Sequence, residues 1–298
     1  MAPVATSALA LAGVALSAFP GAGAEMLLKV MGQSGKIMFY DSSESESSGI
    51  TVTMDALKEV DSQGNEVGKS GSVKHSINSF ASQSFTIEAK ESGVDIGTAT
   101  ADRVNFTSSV GSNTETVGQL MVETYLMTEN GTVGTDTESW DVDVGDLKWN
   151  IAFPEWKFCD PCGSGNKAET GAFLDLTITI SGKGSSASKG SGKVEIGGGA
   201  VLNLAQSVTI DGASVAMPSG YPKVEAQGSK TMITFRFPKF KTSALYDPTI
   251  TGASGAAAAA TTTAMAATTT ASSTSGAPCS APWAVALLLP LMGLLGSA

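Results

Sequence analysis

Strict alternation of apolar and polar side chains, repeated in three places, limits what this chain can fold into. Leu147, Trp149, Ile151 and Phe153 point one way while Lys148, Asn150 and Ala152 point the other. Leu174, Leu176, Ile178 and Ile180 alternate with Asp175, Thr177 and Thr179, and Ile233, Phe235 and Phe237 repeat the pattern. A period of two puts successive side chains on opposite faces of a strand, so each stretch predicts a strand with one buried face. Pro154 and the turn-like Cys159-Asp160-Pro161-Cys162-Gly163 are expected to end the first ladder, because proline has no N–H to donate. The first and third stretches both run into Phe-Pro-x-aromatic, ending at Trp156 and Phe240.

Shorter strands are expected at 26–31, 36–40, 50–60, 84–89, 103–107, 119–128, 194–196, 201–204 and 208–210. Asp61-Ser62-Gln63-Gly64-Asn65 is hairpin-turn chemistry, as is Glu129-Asn130-Gly131-Thr132. The Gly/Ser-rich 182–193 reads as a flexible loop. Outside the two ends, no segment longer than a turn or two carries a helical period. The class is therefore all-β, an antiparallel, sandwich- or jelly-roll-like ectodomain. It forms either one large sandwich or two similar halves, 25–162 and 163–252.

Charge divides the chain. The net charge is -10, and every charged side chain lies between Glu25 and Asp247. That balance repels phosphate and argues against nucleic acid as a partner. Before it, the apolar run Ala8–Leu16 and the Ala22-Gly23-Ala24 pattern read as a secretory signal over 1–24. After it, 253–277 is an Ala/Thr/Ser-rich stretch that buries little and suits an extended, O-glycosylated stalk. The apolar tail at 278–298 is broken by Pro290 and followed by no Lys or Arg. It matches a GPI-anchor signal better than a membrane span, with Ser272, Ser273, Ser275 and Gly276 as candidate attachment sites.

Candidates for chemistry are few. Cys159 and Cys162 form a C-x-x-C, but Asp160 between them disfavours a thiolate, so a small structural disulfide in an oxidising compartment is the reading. Zinc needs a further ligand pair, and the chain has one His and three Cys, with Cys279 in the anchor signal. His75 reads as a loop or surface residue, and no G-x-S-x-G elbow accompanies it. Asp41, Glu44 and Glu46 in an acidic loop, and Asp141 and Asp143 farther on, are possible cation contacts, although the last two miss the calcium-loop spacing. Asn105 and Asn130 begin N-glycosylation sequons. Trp149, Trp156 and Phe240 could form a carbohydrate-stacking face.

LKWNIAFPEWKFCDPC at 147–162, GAFLDLTITISGK at 171–183, GYPKVEAQGSKTMITFRFPKF at 220–240 and ALYDP at 244–248 carry a resemblance. With 52–65 and 75–83 they resemble the framework of skeletal aspartic acid-rich proteins, the acidic proteins of the coral skeletal organic matrix. The resemblance covers about 26–251. It implies an extracellular, non-enzymatic protein of matrix or mineral, and it brings no catalytic residues. The long aspartate runs of those proteins are missing here; Asp41-Ser-Ser-Glu-Ser-Glu-Ser-Ser48 is the nearest equivalent. The expected function is structural or adhesive binding at the cell surface, to matrix components or glycans, with calcium as a weak cofactor at most. Two other readings stay open: a carbohydrate-binding cell-wall protein and a secreted hydrolase.

Overall fold

A computed structural model describes residues 15–17, 26–31, 34–41, 45–68, 75–111, 115–134, 138–162, 169–182, 186–190, 192–197 and 200–252. Apart from two single-turn 3-10 helices, its regular structure is antiparallel strand. The expected stalk and anchor signal lie outside the described residues, as does Glu44.

Two large sheets account for the fold. The first runs, in order, Ala15–Ser17, Met26–Val30, Lys36–Asp41, Ile50–Val60, Phe173–Ser181, Lys230–Pro238 and Lys223–Gln227. The second is centred on Leu147–Trp156, flanked on one side by Thr116–Met127 and then Ala99–Gly111. Its other flank is a line broken at Asp247 and Pro248, with Ala244–Tyr246 pairing along 151–153 and Thr249–Thr251 along 147–148. Each sheet takes strands from both 25–162 and 163–252; Phe173–Ser181 sits between Ile50–Val60 and Lys230–Pro238.

The inner faces pack as the alternation requires. Leu174, Leu176, Ile178, Ile180, Phe235 and Phe237 are fully buried in the first sheet, facing Ile151, Phe153 and Tyr246 of the second. Aromatic rings bridge the layers: Phe153 meets Phe237 edge-on at 5.0 Å and Tyr246 meets Phe235 at 4.8 Å. Edge and tilted contacts of this kind contribute about 0.5–1.5 kcal/mol each beyond the area they bury. A smaller apolar cluster, including Ala101, Tyr125, Met127 and Val133, lies on the outer face of the second sheet under the Gly131–Gly134 and Ser139–Val142 hairpin.

Several expectations need correction. From Leu147 to Phe153 this strand is buried on both faces: Lys148, Asn150 and Ala152 are buried along with their apolar neighbours, because the strand is central and flanking side chains close over them. Pro154 does not end the ladder. The register shifts between Ala152 and Glu155, and pairing resumes at Glu155–Gln119 and Trp156–Gly118, so the proline sits in a bulge. Gly131–Gly134 pairs with Ser139–Val142 and not back onto Thr116–Met127, because its backbone is drawn to Thr98 instead. Within 182–193, Ser186–Gly190 is a strand paired with Lys193–Gly197. The Asp61 turn forms as expected, with its carboxylate accepting from the Gln63 and Asn65 amides.

Candidate functional site

The most enclosed carboxylate among the described residues sits where the two sheets close at one end, and a bulge puts it there. In Ile50–Val60 the residues Val52 and Met54 face the core, so unbroken alternation would send Ala56 and Lys58 inward next. The register against Phe173–Ser181 instead shifts between Thr177 and Ile178, inserting Asp55. The phase flips, and Leu57 and Glu59 face the core in the rows of Leu176 and Leu174. Asp55 itself bonds to the hydroxyl of Thr179.

Glu59 is 0% exposed. A buried carboxylate is costly unless its lone pairs are satisfied, and here three donors converge. His75 Nδ1 and Trp156 Nε1 donate to Oε2 at 2.8 and 2.9 Å, and the Cys159 amide donates to Oε1 at 2.7 Å. His75 is held in turn by its backbone, whose carbonyl accepts from the Glu59 amide at 3.2 Å. Trp156 owes its direction to the Pro154 bulge. The hub therefore ties the first sheet to the end of the second sheet's central strand and to the 159–162 turn.

Three glycines make room for it. A Cβ on Gly171 would lie 1.7 Å from Glu59 Oε1, one on Gly118 would lie 2.4 Å from the Trp156 ring, and one on Gly68 would lie 2.7 Å from His75 Cβ. At Gly68 the backbone also has φ +67°, which disfavours any side chain.

A disulfide joins Cys159 to Cys162, with Cα atoms 4.8 Å apart. One ring nitrogen of His75 and the two sulfurs all lie within 4.8 Å of one another; among the described residues this is the one group of three or more potential ligand atoms so placed. His75 lies in a bend just before the Ser76–Ile77 strand, as a loop residue, but it is buried and not at the surface, because Glu59 anchors it. A cleft of about 580 Å³ lies alongside, lined by Glu66, Gly68, Ser76, Asn78, Ser79 and Gln83 among others.

The remaining candidates lie apart from the hub. Asp141 is exposed and accepts from Thr132 Oγ1 at 3.1 Å. Asp143 is exposed at the start of a turn closed by the Asp146 amide, and its own amide donates to Asp146 Oδ2. Asp41 ends a strand and Glu46 opens a 3-10 turn. Asn105 lies mid-strand with Nδ2 on Glu88, while Asn130 is exposed at a turn and accepts from the Val144 amide. The stacking face is not formed. Trp149, Trp156 and Phe240 are 3–4% exposed, since the central strand and the Phe158 and Phe153 rings enclose them.

Elsewhere carboxylates hold the fold. Asp175 grips Arg236 through two bonds at 2.7 and 2.6 Å across adjacent strands, with the guanidinium 4.3 Å from the Tyr221 ring. Asp247 lies against the Lys148 ammonium. Burial lowers that ammonium from its ordinary value to about 7 while Glu123 opposes the shift, and Asp247 pulls the same way as Glu123. Asp211 accepts from the Lys241, Thr242 and Ser243 amides and the Thr242 hydroxyl; the hydroxyl and then those amides hold its carboxyl well below the carboxylate range.

Fold and site together define an antiparallel β-sandwich with an acidic composition, several of whose carboxylates are engaged in its own architecture. The family model for the acidic skeletal organic matrix protein matches residues 19–194 and 186–275, and the chain belongs to that family. The glutamate hub escaped the sequence reading. The adjacent apolar residues Ala56 and Leu57, where alternation changes phase, were the one sign of the bulge that buries it.

Proposed function

We propose that this protein is a non-enzymatic structural and adhesive component of an extracellular matrix, carried at the cell surface. The observation that carries the reading is the family match, which spans every strand of the sandwich after Ala15–Ser17. The sandwich carries its loops on a packed core, as a binding module does. Its partners on this reading are matrix components or glycans. Calcium is a weak contact at exposed acids such as Asp141 and Asp143, which stand outside any converging ligand set among the described residues. A C-terminal lipid anchor following the Ala/Thr/Ser stalk holds the module to the membrane, and glycans on Asn130 face solvent. Expression of the full chain in secreting eukaryotic cells tests this. An antibody to the sandwich should stain intact cells, and phosphatidylinositol-specific phospholipase C should release the signal. Staining that needs permeabilised cells would overturn the extracellular assignment.

A further inference from the structure

The hub has the parts of a metal site that the disulfide keeps closed. We propose that opening the Cys159–Cys162 bond creates a Cys2His site for zinc or a similarly borderline-soft divalent cation, made by the two sulfurs and His75 and aligned by Glu59.

The ligand identities and spacing fit. Cys-x-x-Cys supplies one knuckle of many zinc sites, and His75, distant in sequence, is the third ligand. In a tetrahedral zinc site with bonds of about 2.0–2.3 Å, ligand atoms stand roughly 3.3–3.8 Å apart. One ring nitrogen of His75 and the two sulfurs already lie within 4.8 Å of one another, so the sulfurs need only part by a short side-chain rotation once their bond is gone.

The nitrogen available is set by Glu59. A carboxylate can only accept, so His75 Nδ1 carries the hydrogen in the 2.8 Å bond and Nε2 keeps a lone pair. A carboxylate on the far nitrogen is the usual outer partner of a zinc-bound histidine; it fixes tautomer and ring orientation.

The cysteines are held independently of their bond to each other. Cys159 donates its amide to Glu59 and accepts from the Gly171 amide at 3.0 Å, while Cys162 exchanges two backbone bonds with Glu169. Reduction therefore leaves both side chains near His75. Among the described residues three protein groups converge, which leaves the fourth position to water.

The chemistry balances with a small thiol or a protein dithiol as reductant. Two reductant thiols become a disulfide, and their two electrons and two protons convert the Cys159–Cys162 disulfide into two thiols. Binding the cation then releases the two thiol protons to solvent.

Cobalt(II) and zinc are the probes. The full chain carrying Cys279→Ser, which removes the only other thiol, is reduced with a phosphine and titrated with cobalt(II). The expected result is thiolate-to-cobalt charge-transfer absorption that saturates at one equivalent and is abolished by zinc. The oxidised protein should give none. Glu59→Gln should weaken binding about 10- to 100-fold, with folding checked by circular dichroism. Should that variant unfold, zinc added to reduced protein labelled with 15N-histidine gives a second reading, since His75 is the chain's one histidine. Its Nε2 resonance should move to a metal-bound position. Reduced protein with no charge-transfer band, or with the band but an unmoved His75 resonance, would overturn the proposal.

Discussion

Glu59 shows how one side chain can carry more of the architecture than its residue type suggests. Lone acids in a core are unfavourable, yet this one is placed by a bulge and matched by three donors, and glycine 171 has no Cβ to obstruct it. Glu59→Ala leaves the His75, Trp156 and Cys159 donors unsatisfied. At about 1–3 kcal/mol each, the loss should be at least about 3 kcal/mol, read as a fall in the urea midpoint. Glu59→Gln, which keeps acceptor oxygen but brings an N–H2 toward existing donors, should lose less than Ala and still be clearly destabilised. A midpoint unchanged in Glu59→Ala would remove the hub from the account. Beyond the phase change at Ala56 and Leu57, little of this was legible residue by residue: a lone His and a Glu near a strand's end have no signature, and their meeting depends on pairing with distant strands.

At the scale of elements, the central strand Leu147–Trp156 was legible as a strand but not as a doubly buried one. Alternation reports which side chains are polar. It does not report whether neighbouring strands close over them, and Lys148 is enclosed because Asp247 and Asn150 with Glu123 make a polar row there. Burial makes Lys148 a source of pH dependence. Its folded value is depressed to about 7 from 10.5. Across that window the unfolded chain binds more protons, so stability should rise with pH by up to about 1.4 kcal/mol per unit. In Lys148→Met this part of the rise should vanish; parallel stability curves for the two proteins would contradict the assignment. The Asp211 loop is a second element-level case. Asp211 has φ 51° and gathers three consecutive amides, so Asp211→Asn should speed hydrogen exchange at Lys241–Ser243 while leaving the core amides unchanged. Because its carboxyl is held low, the contribution is present above the unfolded pKa and should persist as pH falls to about 3, below the usual aspartate value. The edge strands Ala213–Ala216 and Lys223–Gln227 escaped notice for a simple reason: they are largely exposed and show no buried face to alternate against.

For the whole molecule, the all-β sandwich was readable from alternation alone, and the family from a few aromatic stretches. How the halves combine was not, since the insertion of Phe173–Ser181 between Ile50–Val60 and Lys230–Pro238 rests on long-range pairing that local patterns do not encode. Acidity in this matrix-family chain serves its own fold, through pairs such as Asp175–Arg236 and the Glu59 hub, and no three carboxylates converge among the described residues. Thermal unfolding of the secreted protein during a calcium titration, against magnesium at matched ionic strength, tests this most directly. Specific binding to the folded state raises the melting temperature in step with free ligand. Equal, small and non-saturating shifts are expected with both ions up to about 1 mM, the range in which built extracellular calcium sites fill. A saturable rise with calcium alone in that range would contradict this and reveal an assembled calcium site.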